Sequence, residues 1–535
     1  MAVVAVGSND SVVHGVSTSI PPPLQRAWRL AVGRVRIDAR SLAAFRILVG
    51  LLAIADVALR ARNFSVFYAE SGAVPQSLAE ASTHESAISV YYFTTDPTVV
   101  AGLFVLQALV GLQLVVGYRS RIATVLTFVL VVSMDHHNPF VLSYADILFR
   151  LLLFWAIFLP LGERWSIDAV HAKREPRQSF VGVASLLILL QMVVMYFVNG
   201  LHKAQEELWR SGEATPLIMG LDNTTFFLGE VVRAAPTLLQ VGGLTWYYML
   251  LASPLLFVLW GRPRTFFVAM FLGGHASFAV TVRIGAFAYV AIAGLLLFLP
   301  AQFWRDGERL LRRLGADGSR YERARSLASS LARRLPRLRP DGSTQRRARE
   351  VTYTVAVGIV LGSIVIAGGG ALAQAGGVVE EPVGPEEGIE RAANSVGVWQ
   401  PDWSIFAPTP RTTDRYYVFP AETADGELLD VYNERELTYD RPDGQLQRQY
   451  GTYRERFYMG SLRDVDGAVA DELATHLCET YETDDGGRLT HLNTYAVDEE
   501  ITRETIDDPE RRDRTEHLLT RHGCGDAEPT SIHPP

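Results

Sequence analysis

The chain has 535 residues, is 48 % hydrophobic with a mean hydropathy of +0.13, and carries a formal net charge of −8. Those averages hide a division. Up to about residue 300 there are repeated apolar runs near the roughly 20-residue length that spans a bilayer, whereas residues 376–535 hold 15 Arg against 35 Asp and Glu, a balance of −20. This excludes a single soluble domain, and the flanking membrane segments argue against a nucleic-acid partner for the one Arg-rich stretch.

Taken in order, residues 1–40 have no apolar core followed by a small-residue cleavage site, and read as a disordered cytoplasmic leader; the first membrane helix then serves as the targeting signal. Apolar runs at 41–59, 98–117, 122–135, 145–162, 180–201, 238–260, 264–282, 284–300 and 352–374 predict nine spans, eight of them in a bundle over 41–300. The third run is short, with room to extend past Met134. Arg34, Arg36 and Arg40, then Arg119 and Arg121, Arg164 to Arg177, Arg262 and Arg264, and finally 301–350 with 14 Arg against 6 acidic residues all fall on one side. The positive-inside rule therefore predicts a multi-pass cell-membrane protein with its N-terminus cytoplasmic and its C-terminal region extracytoplasmic.

Residues 301–350 combine Arg with Leu310, Leu311, Leu314, Leu327, Leu331 and Leu335, as in an amphipathic segment lying on anionic lipid. The last span, 351–375, leads to a Gly/Glu/Pro linker over 376–400. Strand-like alternation at Tyr416–Phe419, Leu428–Tyr432, Arg454–Tyr458 and Leu489–Val497, with a helix over Gly467–Thr480, predicts a C-terminal extracytoplasmic α+β domain over 401–522 and a disordered tail over 523–535. The fold class expected is thus an all-α polytopic helix bundle bearing this outer domain. Outside the cell, Cys478 and Cys524 suit a disulfide; the competing reading is a zinc site built from His476, Cys478, His522 and Cys524, although that spacing is not a standard one.

Ionisable residues inside apolar runs are costly and point to function or to internal pairing. Arg46 and Arg150 read as structural intramembrane charges; Gly50, one turn after Arg46, offers close helix approach, and Asp146 and Arg150 are spaced to pair on one face. His136, His137 and Asn138 follow the third span, Tyr144 and Asp146 open the fourth, and Asn199, His202 and Lys203 end the fifth. If these ends are neighbours, they line one outward-facing cavity. The adjacent His136 and His137 are a weak metal signal. Lys203 is one of only two lysines, with Lys173, in a chain that otherwise uses Arg. Arg does not give up its proton, whereas a desolvated Lys can, so the position suits a general base. The alternative is an interfacial anchor.

Several spaced motifs resemble one family. They are Asp146-Ile147-Leu148-Phe149-Arg150, Phe154-Trp155, Phe158 to Gly162 and Trp165 to Asp168; Tyr196-Phe197, Gly200, Lys203, Trp209 and Gly212; His275 with Ile284-Gly285, Phe287 and Tyr289-Val290; and Trp403 to Pro408. Together, over about 40–410, they resemble the HTTM, or horizontally transferred transmembrane, domain, best known from the vitamin K-dependent gamma-carboxylases. The resemblance implies Lys203 as the catalytic base acting on a reduced quinone of the vitamin K or menaquinone type. The quinol takes up oxygen, becomes a strong base, and removes a proton from a glutamate γ-carbon that then takes up carbon dioxide. His202, Asn199, Asp146, His275, His137 and Tyr144 would shape the site. This sequence has His202 where those enzymes have a second Lys, one more residue between Lys203 and Trp209, and Ser143-Tyr144-Ala145-Asp146 in place of an Asn-His-x-Tyr stretch. The match is to the wider family. The expected partners are membrane lipid, quinone and a protein or small-molecule substrate at the outer face. The rival expectation is a scaffold that binds lipid or quinone and recruits a partner through its outer domain. Transport finds no internal repeat to support it.

Overall fold

A computed structural model describes residues 22–172, 174–314, 329–337, 385–442, 446–463, 467–482 and 487–532, with isolated positions between. The chain is mostly helical. Its membrane half runs through α1 (Pro22–Arg34), α2 (Ala39–Arg60), α3 (Pro97–Val116), α4 (Ser120–His137), α5 (Tyr144–Ala156), α6 (Val183–Lys203), α7 (Pro236–Leu251), α8 (Gly261–Thr281), α9 (Phe287–Leu296) and α10 (Ala301–Arg313). Among the described residues, three helices are long and apolar enough to cross a membrane: Ala39–Phe67, Pro97–Val116 and Val183–Lys203; α9 and α10, bent by 98°, make a fourth if counted as one span. The remaining expected runs within 41–300 fold as α4, α5, α7 and α8, shorter or less apolar. α4 does extend past Met134, to His137. The sixth run breaks near Pro254, before the one-turn helix Leu255–Val258. Apart from isolated positions, the expected span at 352–374 lies outside the described residues, as does most of 315–350; α10 and residues 329–337 are the described parts of the amphipathic segment. Of the leader expected to be disordered, residues 22–34 form α1.

Asp38 caps α2, accepting from the Arg40 amide. α2 packs on α3 through small residues: a Cβ at Gly50 would lie 2.7 Å from Val115 Cγ2 and 2.9 Å from the Gly111 carbonyl oxygen. One turn earlier, Arg46 donates to the carbonyls of Val115 (3.2 Å), Leu161 (3.1 Å), Arg164 (3.1 Å) and Trp165 (2.6 Å). It thereby satisfies backbone acceptors at the end of α3 and in the turn after α5.

A buried ion network lies at the other end of α2. Arg60 contacts Asp56 (2.9 Å), Asp135 (2.6 Å) and Asp146 (3.4 Å), and Arg150 faces Asp135 at 3.5 Å. The pairing of Asp146 with Arg150 expected from spacing is replaced by cross-helix pairs, because tertiary neighbours offer each charge a closer partner.

The C-terminal region adds α11 (Pro385–Ser395), α12 (Tyr453–Ser461), α13 (Ala468–Thr480) and strands β1 (Thr413–Val418), β2 (Pro420–Thr423), β3 (Leu428–Asp430), β4 (Arg435–Glu436), β5 (Leu489–Glu500) and β6 (Arg514–Gly523). The sheet order is β1-β5-β2-β3-β4, with β6 on the long central β5. All the pairs are antiparallel; Thr413 faces Glu500 and Ala421 faces Leu492. The stretch Arg454–Tyr458, expected as a strand, is helical. Thr452 and Glu455 form a capping box that starts α12 and overrides the short alternating pattern. The expected tail is ordered through residue 532: Cys524 is bonded to Cys478, and Ile532 is buried. With both sulfurs in that bond, the zinc set is not formed; His476 instead faces the Ser71 carbonyl and His522 faces Asp471.

This region is not an independent lobe. Phe419, Tyr458, Leu473 and Leu492 share one core with Val57, Phe67, Tyr68, Phe104 and Met134 of the bundle. Arg454 of α12 also enters the buried network, donating to Asp146 at 2.7 Å and to Asp56.

Two stability outcomes follow, both read from thermal unfolding of purified protein. Gly50→Val should cost about 1–3 kcal/mol by forcing α2 and α3 apart, and an unchanged midpoint would contradict the close packing. Arg454→Met should cost about 3–5 kcal/mol, because two carboxylates lose a buried partner. Adding Asp146→Asn should recover part of that loss, and strict additivity would show that the pair is not coupled.

Candidate functional site

The site is built at the end of α6. Tyr196, Asn199 and Lys203 are spaced three and four apart and so share one face. That face is turned inward: Lys203 is 3 % exposed and Asn199 6 %. The close approach of α7 is permitted by Gly200, where a Cβ would lie 3.0 Å from the Leu251 amide nitrogen.

The segment Trp403 to Pro408 closes over this face. Trp403 and Phe406 both adopt left-handed backbone, with φ of 55° and 50°, an uncommon conformation for large side chains. The resulting tight turn aims its carbonyls at α6. Asn199 Nδ2 donates to Trp403 O (2.8 Å) and Ile405 O (3.0 Å), and Lys203 Nζ donates to Ile405 O (2.7 Å) and Phe406 O (3.1 Å). Nζ also sits 3.7 Å from the centroid of the Trp209 ring. Among the described residues no carboxylate pairs with this amine.

Lys203 faces a cavity of about 590 Å³ whose walls are largely apolar, with the aromatic rings of Tyr196, Trp209, Trp246, Phe278, Phe287 and Phe406 among aliphatic side chains. Behind the wall, Tyr196 Oη and His275 Nε2 are 2.7 Å apart, and His275 is fully buried with no partner at Nδ1. One of these two groups donates to the other, so Tyr196, which lines the cavity, is backed by a buried imidazole.

The other predicted residues divide between two further places. His202 Nε2 lies 2.9 Å from Asp402 O, and Tyr144 Oη donates to Asp402 Oδ1 at 2.7 Å and lies 2.9 Å from Ser404 Oγ. These two side chains pin the turn from its outer side rather than lining the Lys203 cavity. The Tyr144 hydroxyl is the main cause holding the Asp402 carboxyl below the usual carboxylate range. Asp146 belongs to the ion network and caps α5 through Ser143. His137 stacks on Tyr91 at 5.0 Å and faces the Tyr68 carbonyl at 3.3 Å. The single cavity expected from the helix ends is therefore divided, with the 402–408 turn as the partition.

Sequence reasoning did not find Trp246 and Phe278, whose aromatic character is ordinary for membrane helices. It also did not find that Ile405 and Phe406 supply the acceptors for Lys203, since backbone carbonyls leave no residue-type signal. The family model of the HTTM domain matches residues 35–304, about half of the chain. The chain belongs to this family of membrane proteins. No curated protein and no solved structure matches it.

Asn199→Ala should leave the fold intact but release the partition: hydrogen exchange across 401–408 should rise by at least about tenfold, the loss of two hydrogen bonds at about 1 kcal/mol each. Unchanged exchange would show that the turn is held by its other contacts.

Proposed function

We propose that this protein is an integral membrane enzyme of the gamma-carboxylase-like type, in which Lys203 acts as general base toward a reduced quinone at the outer membrane face. In this reading the chain crosses the membrane nine times, with its N-terminus cytoplasmic and the region after residue 401 outside. The alternation of Arg-rich loops supports that topology, and the Cys478–Cys524 bond fits an oxidising exterior.

The observation that carries the proposal is a buried amine, with no carboxylate partner among the described residues, on the wall of an apolar cavity. The cavity suits a flat, apolar head group, and only a few polar groups line it, as in small-molecule sites generally. When bound, a reduced quinone supplies two electrons and ionisable hydroxyls. Lys203 takes a hydroxyl proton at Nζ. The Ile405 and Phe406 carbonyls orient the amine, and the buried His275 holds the Tyr196 side chain in place on the same wall. Enclosure by the 402–408 turn keeps water from quenching strong base. Whether the chemistry extends to carboxylation of an acidic substrate is part of the proposal, and rests on the family.

A second reading is a lipid- or quinone-binding scaffold. Two carbonyls and an indole face are also good partners for a permanent cation, so Lys203 would serve only to fasten the turn. The readings separate on one substitution. In nanodiscs given reduced menaquinone, oxygen and labelled bicarbonate, Lys203→Ala and Lys203→Arg should both lower quinol oxidation by about 10²-fold or more. Equal activity in Lys203→Ala and wild type would overturn the base assignment, and a fully active Lys203→Arg would leave the fastening role alone.

A further inference from the structure

A second cavity, of about 740 Å³, lies on the other side of the partition. Its lining includes three guanidinium groups, Arg150, Arg411 and Arg456, and no Asp or Glu. This is unusual for its surroundings. In a region with 35 acidic residues against 15 Arg, the neighbouring Arg415, Arg435, Arg441, Arg463 and Arg512 all face carboxylates.

Arg411 and Arg456 do not. Arg411 uses Nε on the Thr413 carbonyl at 2.8 Å, and Arg456 uses Nη2 on the Arg283 carbonyl at 3.3 Å. Among the described residues neither has a carboxylate within 4.0 Å. The Arg456 guanidinium lies over Phe457, 4.7 Å from the ring centroid, and its Nε is buried with no partner. Burial, and then the charge of Arg411, holds Arg456 down at about 10, so it remains a cation at neutral pH. Arg283 adds a third charge behind it and spends its own Nη groups on the Gln447 and Tyr450 carbonyls. Arg150 has Asp135 at 3.5 Å, but that carboxylate is shared with Arg60. Asp414 acts on both Arg411 and Arg456 only from beyond 4.0 Å, and clustered, partly buried cations without a close counter-charge are costly unless an anion completes them.

The rest of the lining mixes neutral polar side chains, among them Ser82, His84, His136 and Asn394, with an apolar wall of Ile147, Phe287, Trp399, Phe406 and Phe457. We infer that this outer cavity binds an organic oxyanion, a carboxylate or phosphate carried on an apolar body, whose charged end is received by Arg411 and Arg456. Guanidinium forks match either oxyanion. Ile405 and Phe406 line both cavities, so the ligand sits across one turn of chain from the Lys203 amine. Binding here does not depend on proton transfer at Lys203, and the inference stands apart from the proposed chemistry.

The test is calorimetric titration of the full chain in phosphatidylcholine nanodiscs with benzoate, phenyl phosphate, benzyl alcohol, acetate and inorganic phosphate. Benzoate or phenyl phosphate should bind at least about tenfold more tightly than benzyl alcohol and than the bare anions, and weaken as salt rises. The stronger of the two identifies the oxyanion. Arg411→Gln and Arg456→Gln should each weaken it by at least about tenfold, with exposed Arg309→Gln as the unaffected control. Discs containing phosphatidylglycerol separate the sources: suppressed titration indicates a lipid head group, unchanged titration a soluble acid. Benzyl alcohol binding as tightly as benzoate, or no binding by any probe, would overturn the inference in wild-type protein alone, whatever the variants' folding. Unchanged affinity in both folded Gln variants would overturn it too.

Discussion

The structure depends on one contact: a tight turn from the C-terminal half seated on the polar end of a long apolar helix. α6 brings Asn199 and Lys203 to a depth where bare donors are costly. The 402–408 turn supplies carbonyls where bulk water is largely excluded, and two left-handed residues aim them there. Each side satisfies the other. Without the turn the helix would end in unpaired donors, and without the helix the turn's carbonyls would face an apolar chamber.

That contact explains why the C-terminal region is built into the bundle. A lid fastened at a single point would not hold a partition between two chambers. Here the fastening is repeated: Tyr144 and His202 hold the outer side of the turn, Arg454 enters the ion network below α2, and the sheet shares its core with the bundle. The result is a partition with different chemistry on its two faces. One face has a single amine in an apolar chamber; the other has guanidinium groups in a lining that holds no carboxylate. An arrangement of this kind suits two unlike ligands held adjacent.

Much of this was legible in sequence, for identifiable reasons. Helix positions followed from apolar runs, and the polar end of α6 stood out because its residue types conflict with its surroundings. Lys203 was conspicuous because lysine is nearly absent from the chain. The strand at Leu489–Val497 and the helix at Gly467–Thr480 were expected where β5 and α13 lie. What failed was pairing. Asp146 and Arg150 are spaced to meet on one helix, yet Arg60 and Arg454 claim Asp146 from other elements, and Arg454 lies some three hundred residues away in sequence. Arg454–Tyr458 alternates like a strand over a window too short to outweigh the Thr452–Glu455 cap. His137 and Asp146 share an end of the bundle with Lys203, but the partition gives them other neighbours, and nothing in a residue's type reveals on which side of a turn it will fall.

The most direct test of the central claim is a map of the protein in nanodiscs, prepared without oxygen and with reduced menaquinone bound. The account predicts head-group density in the apolar chamber lined by Tyr196 and Trp246, with a ring oxygen within hydrogen-bond distance of Lys203 Nζ. A chamber left empty at saturating quinol, or a head group bound elsewhere while the Ile405 and Phe406 carbonyls keep the amine to themselves, would contradict it.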